Sequence, residues 1–67
     1  GDTITALVTY NYIVEKNPML TDIWLNMGVV YALSNQKEKA RSAWEQVLTY
    51  KSNNISALKY LKKLNGN

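Results

Sequence analysis

The stretch TDIWLNMGVVYALSNQKEKARSAWEQVLTYKSNN, Thr21–Asn54, decides how this chain folds. Ile23, Trp24, Met27, Val30 and Tyr31 recur three and four apart, which predicts a helix from about Thr21 to Leu33. Thr21 or Asn17 is placed to cap it, with Asp22 near the positive end of the helix dipole. Ser34-Asn35-Gln36 is a polar break, and Asn35 suits a turn because asparagine tolerates the left-handed conformation. Ala40, Ala43, Trp44, Val47 and Leu48 then mark the buried face of a second helix, from about Lys37 to Lys51. Its wet face carries Lys37, Glu38, Lys39, Arg41, Glu45 and Gln46, with Glu38–Arg41 and Arg41–Glu45 as surface pairs. Gly28 stands out. A glycine inside a helix costs about 1 kcal/mol against alanine, so a tertiary contact must offset it.

The spacing continues outside this stretch with a period of 34 residues. One period back, Ala6 falls on Ala40, Tyr10 on Trp44, Ile13 on Val47 and Pro18 on Ser52. One period forward, Leu58 falls on Trp24 and Leu61 on Met27, but Lys62 replaces Gly28 and Asn65 replaces Tyr31. The first segment is rich in β-branched and aromatic residues that would suit a strand. Its periodicity argues for helix instead: Leu7, Tyr10 and Val14, and Ala6, Tyr10 and Ile13, lie at helical spacing without a turn signal between them. That helix is predicted from about Asp2 to Asn17, where Pro18 ends it. Gly1-Asp2 sits where Asn35-Gln36 sits one period later, at an inter-helix turn. A last helix is predicted from about Ile55 to Leu64, capped by Asn53 or Asn54, with Ile55, Leu58, Leu61 and Leu64 inward and Asn65-Gly66 as the stop. The chain thus reads as all-α, four helices joined by short loops that force antiparallel neighbours.

The set Trp24, Met27, Gly28, Tyr31, Ala40, Trp44 resembles the tetratricopeptide (TPR) repeat, whose signature is W-x2-L-G-x2-Y followed by A-x3-F and a late Pro. Trp24, Gly28, Tyr31 and Ala40 match outright, Met27 stands for the Leu, Trp44 for the Phe, and Ser52 stands where the family has Pro. The resemblance implies antiparallel helical hairpins stacked as a right-handed solenoid, with an ordinary four-helix bundle as the alternative. Residues 1–20 would be the second helix of a preceding repeat, 21–54 a full repeat, and 55–67 a capping helix. In the family the glycine lets the paired helix approach through a small residue, and Ala40 is placed to be that residue.

Composition removes most chemistry. At 67 residues the chain is one small domain or part of a larger one, with too small a core for wide stability margins. It has no Cys and no His, so disulfides, the common zinc sites, thiol nucleophiles and imidazole acid–base catalysis are closed. Asp2, Glu15, Asp22, Glu38 and Glu45 form no catalytic or metal-ligand spacing, and no phosphate-binding loop is present. We expect no enzyme activity and no cofactor. A hydrophobic fraction of 46% is too high for disorder, and no apolar run approaches the ~18 residues of a membrane span. The net charge of +3 is mild, and Lys51, Lys59, Lys62 and Lys63 cluster without interleaved Arg, so nucleic-acid binding is not expected.

What remains is protein binding. TPR arrays bind partners through the groove lined by the first helix of each hairpin, and the resemblance puts Asp22, Leu25, Asn26, Val29, Ala32 and Leu33 on that side. Some members clamp a peptide carboxylate with Lys, Asn and Arg there; here only Asn26 conforms. Leu25, Val29, Ala32 and Leu33 instead make an apolar strip, to which Lys59, Tyr60 and Lys63 would add a basic end. A second surface is expected on the first helix, where Leu7, Tyr10 and Val14, with Ala6, would lack a hairpin partner and meet another protein or a second copy. The expected role is a non-catalytic scaffold or adaptor segment. A segment that packs within its own larger protein or homo-oligomer is the alternative.

Overall fold

The computed structural model describes residues 2–66, which form four helices and no strand. Gly1 and Asn67 lie outside the described residues, and with Gly1 the turn expected at Gly1-Asp2. Helix α1 spans Asp2–Lys16, α2 Thr21–Leu33, α3 Lys37–Tyr50 and α4 Ile55–Gly66. Each helix packs on its neighbour in the chain, α2 and α3 most extensively, and no other pair shares more than a marginal contact. The described residues make a flat slab of 29 × 25 × 14 Å.

The breaks have local causes. Asn35 takes a left-handed φ of 64°. Its N–H donates to the Ala32 carbonyl at 3.1 Å, and the Gln36 N–H donates to the Tyr31 carbonyl at 2.8 Å. That pair of bonds is a Schellman closure, with asparagine where glycine is commoner. At the start of α4, the Asn54 side-chain oxygen accepts from the Ala57 N–H at 2.9 Å, the N-cap expected there. Helix α2 departs from expectation: Leu20 occupies its N-cap position without a side-chain bond, and Thr21 is buried inside the first turn. The entry is held instead by Trp24, whose Nε1 donates to the Pro18 carbonyl at 2.8 Å.

The core is small: Val14, Met27, Ala40, Ala43, Trp44, Val47 and Ala57 are its buried hydrophobic residues. Val14, Met27 and Ala43 cluster, with Tyr10, Ile23, Trp24 and Tyr31 packed against them. Across the α2–α3 pair, Lys39 lies over the Tyr31 ring while Trp44 reaches the Leu25 carbonyl, so the two helices run antiparallel. Tyr60 against Trp44 and Asn65 bonded to Arg41 give the same sense for α3 and α4.

Gly28 has a different neighbour from the one expected. A methyl added there would lie 2.5 Å from Cδ1 and Cε2 of Trp44 and closer still to Nε1, so an indole rather than Ala40 fills the notch. Ala40 is itself fully buried, but the nearest atoms to the missing side chain all belong to Trp44. From this seat Trp44 Nε1 donates to the Leu25 carbonyl at 3.2 Å, and its ring lies 5.1 Å from that of Tyr60, tilted by 39°.

Helix α4 is rotated relative to expectation. Ile55 and Leu58, expected inward, are 79% and 49% exposed. Ala57 is buried, with Tyr60, Leu61 and Leu64 half-buried beside it. The reason is Trp44: its indole offers a flat surface that Tyr60 covers, and small Ala57 lets α4 come close enough to do so.

Gly28→Ala should destabilise the fold by about 1–3 kcal/mol in urea denaturation, because displacing the indole outweighs the gain in helix propensity. A variant more stable than the parent would show that the notch is not needed. Asn54→Ala should lower stability by about 1 kcal/mol through the lost cap.

Candidate protein-interaction surfaces

The expected groove residues are only partly brought together. Ala32 of α2 and Lys63 of α4 line one shallow hollow of about 260 Å³ with Trp44, Tyr60 and Leu64. Leu25 and Val29 are half-buried on the same helix as Ala32, while Asn26 and Leu33 are exposed. Lys59 is exposed and does not line the hollow. Its floor is therefore aromatic. Trp44 reads in the sequence as core and Leu64 as inward-facing, so neither signals a surface. Nothing in the sequence marks these two, whereas Tyr60 is expected on this surface beside Lys63 and is found there.

The hollow exists because Gly28 draws the Trp44 indole against α2 and Tyr60 then closes on the indole from α4. One side of the floor is thus fixed by a hydrogen bond and the other by ring contact. Lys63 supplies a cation at the rim. Such a hollow can take an apolar or aromatic side chain and favour an acidic group beside it.

The second expected surface is overturned in part. Val14 is buried in the core cluster, and Tyr10 packs against that cluster. Leu7 and Ala6 are half-buried. Val14 and Tyr10 thus dock α1 on the core cluster, so half of the face expected to be open is used within the chain. The exposed apolar residues of α1 are Ile4, Val8 and Tyr12.

A further open cleft of about 410 Å³ lies where α1 and α3 do not close over α2, between Asn11, Trp24, Tyr31, Glu38, Lys39 and Gln46. At its edge Glu38 pairs with Arg41 at 3.0 Å, an exposed contact that contributes a few tenths of a kcal/mol. Among the described residues no cluster of carboxylates could hold a metal ion, and no helix is long and apolar enough to cross a membrane.

Comparison with protein-family models, with curated proteins and with solved structures finds no match for this chain.

Val14→Glu should unfold the chain, seen as loss of helical circular dichroism at 25 °C, because it buries an unpaired charge. Val8→Glu, at an exposed position, should leave the spectrum unchanged and the unfolding free energy within about 0.5 kcal/mol of the parent. If the two behave alike, the assignment of the α1 faces is wrong.

Proposed function

We propose that this chain is a non-catalytic protein–protein interaction module, a TPR-like segment of a scaffold or adaptor. Its helices stack as antiparallel hairpins in a right-handed solenoid. Supporting this are the antiparallel succession of α2, α3 and α4, the lack of extended contact between α1 and α4, and the glycine notch filled from the paired helix. The ligand is a peptide segment of another protein that places an apolar or aromatic side chain in the hollow and an acidic residue beside Lys63. The observation that carries this reading is the hollow itself, formed by Ala32, Trp44, Tyr60 and Leu64 with a lysine at its edge. The sequence has no His and no Cys, and its five carboxylates fall at no catalytic spacing.

A second reading, a structural segment that packs against further copies of itself, is favoured by the exposure of Ile4, Val8 and Tyr12 on α1.

Peptides selected by display against the 67-residue chain should share an aromatic or aliphatic anchor next to Asp or Glu. In calorimetric titration Lys63→Glu should weaken them about tenfold, or ~1.4 kcal/mol, and Ala32→Arg should abolish binding. Both positions are at the surface of the hollow, so thermal stability should hold. Peptides that bind the parent and both variants equally would overturn the groove reading.

A further inference from the structure

Asn65 is the one asparagine that the sequence follows with glycine, and Gly66 is the last residue of α4. The Asn65 side-chain oxygen accepts from Nη2 of Arg41 at 2.9 Å, so a residue of α3 holds the amide. The other arm of that guanidinium is occupied. Its Nη1 donates to both carboxylate oxygens of Glu38, at 3.0 and 3.2 Å. Glu38 therefore steadies Arg41, and the free arm points a cationic donor at the carbonyl of Asn65. Asn65 and Gly66 are both exposed, and nothing lies within 4 Å of where a Cβ at Gly66 would sit. A terminal helical turn frays, and glycine is a poor residue to hold it. When the turn opens, rotation of the Gly66 backbone meets no obstacle.

We propose that Asn65-Gly66 is a self-modification site, where the chain's own backbone converts the asparagine to aspartate and isoaspartate. Hydroxide takes the proton of the Gly66 amide, and the nitrogen attacks the side-chain carbonyl carbon of Asn65. A C–N bond forms and closes a cyclic imide. The side-chain nitrogen leaves as ammonia, drawing a proton from water and restoring the hydroxide. Water then opens the imide at either carbonyl. Breaking the new bond leaves aspartate, and breaking the original peptide bond leaves isoaspartate, whose main chain runs through the side-chain carbon. The net reaction is amide plus water to acid plus ammonia. Glycine is needed at the attacking position because a Cβ there would crowd the nitrogen's approach. Arg41 assists, because negative charge grows on the oxygen it already holds, and its cation binds that state more strongly than the neutral amide. The joint is exposed and Glu38 shares the charge, so the gain is about threefold and not the roughly hundredfold of a buried oxyanion donor. Conversion removes one unit from the net charge of +3. Aspartate keeps Arg41 as a charge-assisted partner, whereas isoaspartate lengthens the main chain, breaks the last turn of α4 and releases Arg41. Asn65 does not line the hollow between α2 and α4, so the site stands independently of peptide binding.

The purified chain, incubated in warm neutral buffer and mapped by mass spectrometry over time, reads the reaction directly. Acid at position 65 should accumulate about tenfold faster than at Asn53, an exposed loop asparagine followed by Asn54. Gly66→Ala, whose methyl meets no neighbour, should slow conversion about tenfold with unchanged circular dichroism. In the folded chain Arg41→Met should slow conversion about threefold, and Glu38→Gln, which frees the guanidinium for Asn65, should speed it. In denaturing urea parent, Arg41→Met and Glu38→Gln should convert at one rate, because the Arg41 contact exists only in the fold. Conversion at position 65 no faster than at Asn53 overturns the proposal. So does a folded Arg41→Met chain that converts as fast as the parent or faster, which would make the guanidinium a clamp that protects the amide. Should Arg41→Met fail to fold, Glu38→Gln decides alone, its side chain being 83% exposed: an unchanged or lowered rate overturns the role of Arg41.

Discussion

The indole of Trp44 occupies the space that any side chain at position 28 would need. This one steric fact organises the α2–α3–α4 part of the slab. The ring can reach the α2 backbone only because Gly28 carries no Cβ, and there it finds the Leu25 carbonyl as acceptor for its N–H. Its other side is covered by Tyr60. One side chain therefore ties together three helices in a chain without disulfides, and Gly28's intrinsic penalty of about 1 kcal/mol is offset by that contact. The end helices do not repeat the joint: Lys62 stands at the glycine position in α4, and Tyr10 at the tryptophan position in α1.

The same joint builds the hollow. Trp44 and Tyr60 are at once the link between α3 and α4 and the aromatic floor beside Ala32 and Lys63. Fold and proposed binding are thus coupled through one pair of rings. The arrangement also accounts for the composition of α2, which is apolar on nearly every side. One side receives α1 through Met27, another receives α3 through Gly28, and Leu25, Val29 and Ala32 are left half-covered beside the hollow.

The positions of the helices were largely legible in the residues. Thr21 and Leu33 bound α2 as expected, Lys37 begins α3, and Ile55 begins α4. Asn35 adopts the left-handed turn and Asn54 caps α4. The rotation of two helices was not legible. Helix α4 has apolar residues at Ile55, Ala57, Leu58, Tyr60, Leu61 and Leu64, an arc too wide to name one inner face. Contact with Trp44 selected the Ala57–Tyr60–Leu64 side. Helix α1 is likewise apolar on two faces, and docking on Met27 and Trp24 used Tyr10 and Val14, leaving Ile4, Val8 and Tyr12 outside.

The sequence by itself determined that the chain is helical, where each helix begins and where the three inter-helix breaks fall, and that His and Cys chemistry is closed to it; the stop expected at Asn65-Gly66 is not seen, because α4 runs through Gly66. Those properties depend on residues within a turn or two of one another, on caps, on periodicity and on the residue types present. Tertiary structure alone decided that Gly28 receives Trp44 rather than Ala40, which side of α4 turns inward, and which face of α1 stays open. These depend on how shapes far apart in the chain fit, and a helix with two apolar faces carries no local preference between them.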